Sequence, residues 1–414
     1  MKKSDTSANS FAPSRRFVVR GGFLSLAATL TGCTGSGSSF SPGDFFGGSN
    51  NTAQTPAPGQ QPVAIGTGQT KIALILPLNT LGNAGQVGQS MRNAAELAVT
   101  EFNNPDIQLL VKDDGGTAQG AQFAAQQAVS EGVQLIIGPL FAQSVQAVGQ
   151  VARAQNIPVI AFSTDSSVAS RGVYLLSFLP ESDVHRIVDY AVAQGKRSFL
   201  ALVPDNAYGN VVEGEFRQHV ARKGGRVMAF ERYSTGAFGI QGGMQNIAQS
   251  AGSADALFLP GEGDVVPQVA QALVTAGVNL KRLQLLGTGL WEDPRVFADQ
   301  NLQGGWYPGP DPNAPNNFRA FAGRYRQRYG SEPVRTATLA YDAVALASAL
   351  VKTQGAQGLT DAALLNPSGF AGIDGVFRFR QDGTNQRGLA VLRVTPTGGQ
   401  VVSPAPRSFG GSGT

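Results

Sequence analysis

One cysteine, Cys33, stands in a chain of 414 residues, which excludes an intramolecular disulfide and a thiolate metal cluster. Histidine is nearly as scarce: His185 and His219 are the only two, and their separation has no metal-ligand spacing. Both fall on helix-like segments and read as solvated helix residues. Neither a Gly-x-Ser-x-Gly turn nor a Walker-type lysine is present, so the common sequence marks of a serine hydrolase and a P-loop nucleotide binder are missing. Charge is sparse at 14% of residues, and the formal net charge of +4 is unevenly placed. Lys2, Lys3, Arg15, Arg16 and Arg20 precede Cys33 with only Asp5 to oppose them; beyond Cys33 there are 27 basic and 27 acidic residues. The body is therefore neutral, and the basic excess gives no footprint for nucleic acid.

What is present begins with a leader. Residues 14–33, SRRFVVRGGFLSLAATLTGC, carry a basic start, a short apolar stretch and small residues before the cysteine. The apolar stretch Phe23 to Leu30 is far short of the ~20 residues that span a bilayer. Leu30-Thr31-Gly32-Cys33 resembles a bacterial lipobox, and Ser14-Arg15-Arg16-Phe17 is similar to a twin-arginine export signal. These likenesses imply a signal peptide over 1–33, exported by the Sec or twin-arginine route, with Cys33 as the lipid attachment point. The expected location is the periplasmic face of a cell-envelope membrane, held by the lipid anchor. Residues 34–70 are rich in Gly, Ser, Thr, Pro and Gln with Asp44 as the only charge, which predicts a flexible tether. Its expected reach is roughly 35 Å. A second Gly/Ser/Pro-rich stretch, 402–414, predicts a disordered tail.

Between these tails apolar runs alternate with helical patterns. Runs at 71–77, 107–112, 133–138, 157–162, 173–178, 198–204, 226–231, 254–260 and 282–287 are nearly continuous rather than alternating, as parallel strands covered on both faces require. Helical periodicity fills 89–103, 117–131, 143–155, 183–194, 210–223 and 264–276. Repeated βα units predict an α/β fold, and the series restarts near Pro180, which predicts two doubly wound parallel-sheet lobes with a hinge and an interlobe cleft. The expected division is 71–180 with about 304–387 for lobe 1, and 181–303 with about 388–401 for lobe 2. Helices are expected over Phe318 to Tyr329 and Thr336 to Thr353, followed by paired strands around Asp382-Gly383.

The ordered set ILPL with Gly85 and Gly88, Asp113-Asp114, IIGP (136–139), PVIAFST, PDNAYG (204–209), DALFLPG and the GTG of 287–289 resembles the type I periplasmic binding proteins of the Leu/Ile/Val-binding branch. IALILPL and IIGPLFAQSV are also similar in wording to the lipid-anchored penicillin-binding protein activators. The first resemblance implies a non-catalytic receptor that captures a small, amino-acid-like solute between its lobes for an ABC permease. The second implies regulation of peptidoglycan synthesis through contact with a penicillin-binding protein. Neither implies a cofactor, a metal or nucleic acid. Three family contacts are altered. Ala142 stands where the family places a carboxylate-binding serine, Asp165 where it places a threonine, and Gly289 where it places the acid that holds an amino group. Glu292 and Asp293 are close to that acid's position but displaced.

In an open α/β sheet, ligands lie beyond the carboxyl ends of the strands. The loops expected there present Ser144, Ser163, Thr164, Asp165, Tyr208, Glu262 and Thr288 as candidate ligand-binding residues. The serines would hydrogen-bond a ligand, Tyr208 would stack on it, and Glu262 or Asp165 would take a cationic group. The competing reading makes them ordinary caps and turn residues, since Ser, Thr and Asp favour those positions regardless of function. Asp113-Asp114 is read the same way, as a turn and cap rather than a catalytic pair.

Overall fold

The computed structural model describes residues 64–102, 105–236 and 239–409. Cys33, the leader and the tether up to residue 63 lie outside the described residues. The first lobe opens with β1 (Ala64–Ile65), β2 (Thr70–Leu76), helix α1 (Asn83–Glu101), β3 (Ile107–Asp113), α2 (Ala118–Ser130), β4 (Leu135–Ile137), α3 (Ala142–Arg153), β5 (Val159–Ala161) and β6 (Val173–Leu175). Its sheet runs β1-β3-β2-β4-β5-β6, parallel throughout except for β1. The apolar run in β2 explains the layering. Ile72, Leu74 and Leu76 enter one core, and Ala73 and Ile75 enter another on the opposite face. Side chains alternate across a strand, so a continuous apolar run is stable only where both faces are covered.

The chain then crosses to α4 (Pro180–Ala193), β7 (Ser198–Pro204), α5 (Ala207–Arg222), β8 (Arg226–Gly236), β9 (Gly239–Gln241), α6 (Met244–Ser250), β10 (Ala256–Phe258), α7 (Val266–Thr275), β11 (Gln284–Leu286), α8 (Pro294–Ala298) and β12 (Trp306–Gly309). It returns through α9 (Phe318–Tyr329), α10 (Ala337–Gln354), α11 (Asp361–Leu364) and a small antiparallel sheet of β13 (Phe370–Gly372), β14 (Gly375–Phe379) and β15 (Asn385–Arg387). The last crossing leads to β16 (Ala390–Thr395) and β17 (Gly398–Ser403). The second sheet is ordered β17-β16-β12-β11-β10-β7-β8-β9, and β7 repeats the two-faced pattern: Leu200 and Leu202 on one side, Phe199, Ala201 and Val203 on the other. Residues of α9 and α10 pack into the first lobe's core beside α1.

Three expected boundaries move. Residues 64–70 belong to the folded lobe rather than to the tether, since Ala64 and Ile65 pair with Leu110 and Leu109 and β2 begins at Thr70. The return to the first lobe comes later than residue 304, because β12 inserts between β11 and β16 of the second sheet. The tail is ordered beyond 402: β17 pairs along β16 to Ser403, and Arg378 lies 4.7 Å over the Phe409 ring. Asp382-Gly383 does turn a hairpin, but its partners are β14 and β15, while the following apolar run joins the second lobe.

Candidate functional site

The β4–α3 junction shows why a glycine precedes the proline. Gly138 has φ of +93°, and a Cβ there would lie 2.0 Å from the Ile75 carbonyl oxygen of the neighbouring strand. The Gly138–Pro139 peptide is cis. This turn carries the chain into α3, where Ala142 is the first residue of the helix and offers no hydroxyl.

The other first-lobe candidates are engaged within the lobe. Ser144 is fully buried, and its hydroxyl donates to the Thr117 carbonyl at 3.3 Å, tying α3 to the start of α2. It also lies against Asp114, whose carboxyl is pushed up to about 6, chiefly by burial. Ser163 is buried, and its oxygen accepts the Asp165 N–H at 3.1 Å. Thr164 is half-buried between them. Asp165 is exposed, and its Oδ1 accepts the Ser167 N–H at 2.9 Å, capping a single 3-10 turn. For Ser144, Ser163 and Asp165 the structure thus places the side chain in a packing or capping bond. Closer to the rim, Gly116 lies against Thr80 and Phe141, and Gln143 donates to the Gly116 carbonyl.

The second lobe brings two candidates together. Tyr208 and Thr288 are buried, 80 residues apart in the chain, and their side-chain oxygens lie 2.8 Å apart. Burial holds the Tyr208 phenol well above its ordinary value, and the Glu262 charge adds to this. Glu262 is half-buried and acts in the same direction on Tyr233. The Thr288 bond fixes the orientation of the Tyr208 ring.

Gly289 is filled from another element. Its N–H donates to Asp183 Oδ2 at 2.8 Å, from the first turn of α4. Burial pushes the Asp183 carboxyl up to about 7; the Gly289 N–H opposes this, the Glu181 charge adds to it and Arg387 opposes it. The displaced acids do not substitute for it. Glu292 accepts the Tyr307 hydroxyl at 2.5 Å, and Asp293 caps α8 while binding Arg295 at 2.8 and 2.9 Å. Asp183 was not among the sequence candidates, since acids in the first turn of a helix are expected for the helix dipole alone.

The histidines correct their expected place. His219 is buried and its ring stacks on His185 with centroids 4.3 Å apart, so neither is a freely solvated helix residue. Among the described residues no cluster of three or more His, Cys, Asp or Glu is arranged to hold a metal ion, and no helix is long and apolar enough to cross a membrane.

The two-lobed sheet order and the strand-end loops now meet an independent comparison: the family model described as periplasmic binding protein matches residues 69–400. The chain belongs to the periplasmic binding protein family. Among solved structures, this chain is similar to one described as a branched-chain amino acid ABC transporter from Rhodospirillum rubrum. The TM-score is 0.70 at 19% identity, covering 80% of this chain and 99% of the other. Among curated relatives it is 28% identical over 196 residues to a penicillin-binding protein activator of Vibrio cholerae, covering 44% of this chain and 32% of that protein. It is 23% identical over 228 residues to a Leu/Ile/Val-binding protein homolog of Brucella melitensis, covering 53% and 58%. The binding protein therefore spans between about a third and three fifths of these two relatives' lengths.

Proposed function

We propose that the protein is a non-catalytic envelope lipoprotein that captures a small solute in the interlobe cleft and hands it to an ABC-type importer. The observation that carries this reading is the family match over 69–400 on a body built as two sheets joined by three crossings. Such crossings permit hinge closure, and a ligand touching both lobes favours the closed population by its differential affinity. An amino-acid-like solute is the first class to test, because relatives carry Leu/Ile/Val-binding and branched-chain amino acid names. Its ammonium would meet Asp183 beside Gly289, in place of the acid that the family sets at that position. Export through a Sec or twin-arginine signal and a lipid on Cys33 complete the proposal.

A second reading is favoured by a specific observation. Alanine at 142, the capping role of Asp165 and glycine at 289 remove three amino-acid contacts, and activator proteins are among the curated relatives. Here the lobed body would contact a penicillin-binding protein and regulate peptidoglycan synthesis.

The deciding experiment purifies the protein natively from its envelope, denatures it and identifies released small molecules by mass spectrometry, with titration of leucine, isoleucine and valine into the stripped protein. A released solute that rebinds and compacts the protein in small-angle scattering supports import. No released solute, no heat on titration and co-purification of a peptidoglycan synthase would overturn it in favour of the second reading.

A further inference from the structure

Arg387, at the end of β15, is 6% exposed, yet its two terminal guanidinium nitrogens have no hydrogen-bond partner among the described residues. Only Nε is engaged, donating to the Ser177 carbonyl at 3.0 Å. The group lies over Phe178 at 4.7 Å and within 5.9 Å of the Phe377 ring centre, so its faces are apolar. Burying a cation without paired donors is among the more costly arrangements a protein can hold.

The neighbouring acids leave its terminal nitrogens without a hydrogen bond. Asp374 is taken by Arg335, at 2.5 and 2.9 Å, and by the Thr338 hydroxyl at 2.7 Å. Asp342 accepts the Ile373 N–H at 2.9 Å through Oδ1, while Oδ2 is buried without a partner. Burial and the Asp374 charge push the Asp342 carboxyl up to about 8, so it is mostly neutral at pH 7. Asp374, Asp342 and, more weakly, Asp183 act on Arg387 by charge, with Arg335 opposing them, but none is hydrogen-bonded to its terminal nitrogens, and the bond found for Asp183 is to Gly289. Asn385, two residues before Arg387 on the same strand face, also donates to Ser177 at 2.7 Å, and its Oδ1 is left without a partner. Water would serve the Asn385 oxygen and the Arg387 donors. It would not balance the guanidinium charge.

We propose that Arg387 is a buried anion site at the lobe junction, holding one small monovalent anion, a carboxylate or a halide, on its two terminal nitrogens. The anion enters when the crossings at Ser177–Phe178 and Gly388–Leu389 part, and it ties the two together. Asp183, proposed above to meet a solute ammonium, acts on Arg387 by charge, but solute capture does not require an anion there, so failure of this site leaves that reading standing.

The test uses crystals of the full chain soaked in sodium bromide or in sodium acetate, with thermal unfolding of the parent and of Arg387→Met followed in rising bromide at constant ionic strength. An anomalous bromide peak within hydrogen-bonding distance of Arg387 Nη1 or Nη2, with a saturable rise in unfolding midpoint, is the expected result. Acetate displacing bromide assigns the site to a carboxylate; bromide persisting assigns it to a halide. Arg387→Met should abolish the rise, and Arg387→Lys, which keeps the charge but not the fork, should weaken half-saturation at least tenfold. Ordered water alone at Arg387, the Asp183 carboxylate turned onto it, or bromide in the soak with no saturable rise in solution would each overturn the proposal.

Discussion

His185 stacks on His219 with planes 21° from parallel, and each ring is held by its own acid: Glu215 at 2.7 Å and Asp189 at 2.8 Å. Arg222 reaches both rings, Lys223 pairs with Asp189, and the charge of Arg380 acts on His185 from the β14–β15 turn. Burial is the largest cause lowering the His185 pKa; Glu215 opposes it, and the His219 and Arg380 charges add to it. A histidine lowered in the folded state takes up protons more readily when unfolded, so its stabilising contribution is full above about pH 6.5 and is lost as pH falls. The unfolding midpoint should therefore drop between pH 7 and pH 5. His185→Gln should flatten that drop, as thermal denaturation followed by circular dichroism would reveal.

Asp183 gives the proposed cleft a pH dependence of the opposite chemical origin. Its carboxyl sits at about 7, so an ammonium-bearing solute meets a charged partner only above that value. Affinity should fall by about tenfold per unit as pH drops below about 7. Asp183→Asn should bind more weakly at pH 8 and show no such slope. Isothermal titration at pH 8 and pH 5.5 measures both; an unchanged slope in the variant would remove Asp183 from the site.

Asp342 should tolerate amidation. A carboxyl raised to about 8 binds its proton in the folded state, and stability is lost as pH rises from the unfolded value near 3.8 through 8. Asp342→Asn keeps an acceptor for the Ile373 N–H and removes the titration. The variant should be at least as stable as the parent at pH 8, with a flatter pH profile. By contrast, Gly372→Ala would set a Cβ 2.4 Å from Asp342 Oδ2 and should destabilise.

The end of β11 is closed by shape. Trp291 is fully buried, donates its indole N–H to the Leu259 carbonyl at 3.1 Å, and covers Gly287 so closely that a Cβ there would lie 2.2 Å from the ring. Gly287→Ala should cost about 1–3 kcal/mol by overpacking. Trp291→Ala should cost about 3–5 kcal/mol by leaving a cavity. Urea denaturation gives both values, and a loss near zero for Gly287→Ala would mean that Trp291 can swing away.

Much of the element order was legible because apolar runs such as KIALILP and SFLALVP need cover on both faces, which parallel strands between helices supply. Strand β12 was harder to place. WYPG is four residues with a proline and a glycine, and it becomes a strand by pairing with β16, whose partner residues lie beyond position 389. The candidate site was legible as a set of loops but not as a set of free groups. Ser144, Ser163 and Asp165 look alike in sequence whether a hydroxyl or carboxylate faces a ligand or a neighbouring backbone group.

Determined by the sequence alone were the alternation of strands and helices and the Gly-Pro turn after β4, since each depends on local periodicity or residue identity. The tertiary structure alone decided the meeting of Tyr208 with Thr288, Asp183 with Gly289, and His185 with His219. It also left Arg387 buried with two nitrogens unpaired. These relationships join elements far apart in the chain, and whether a polar group is paired or stranded depends on which element packs over it.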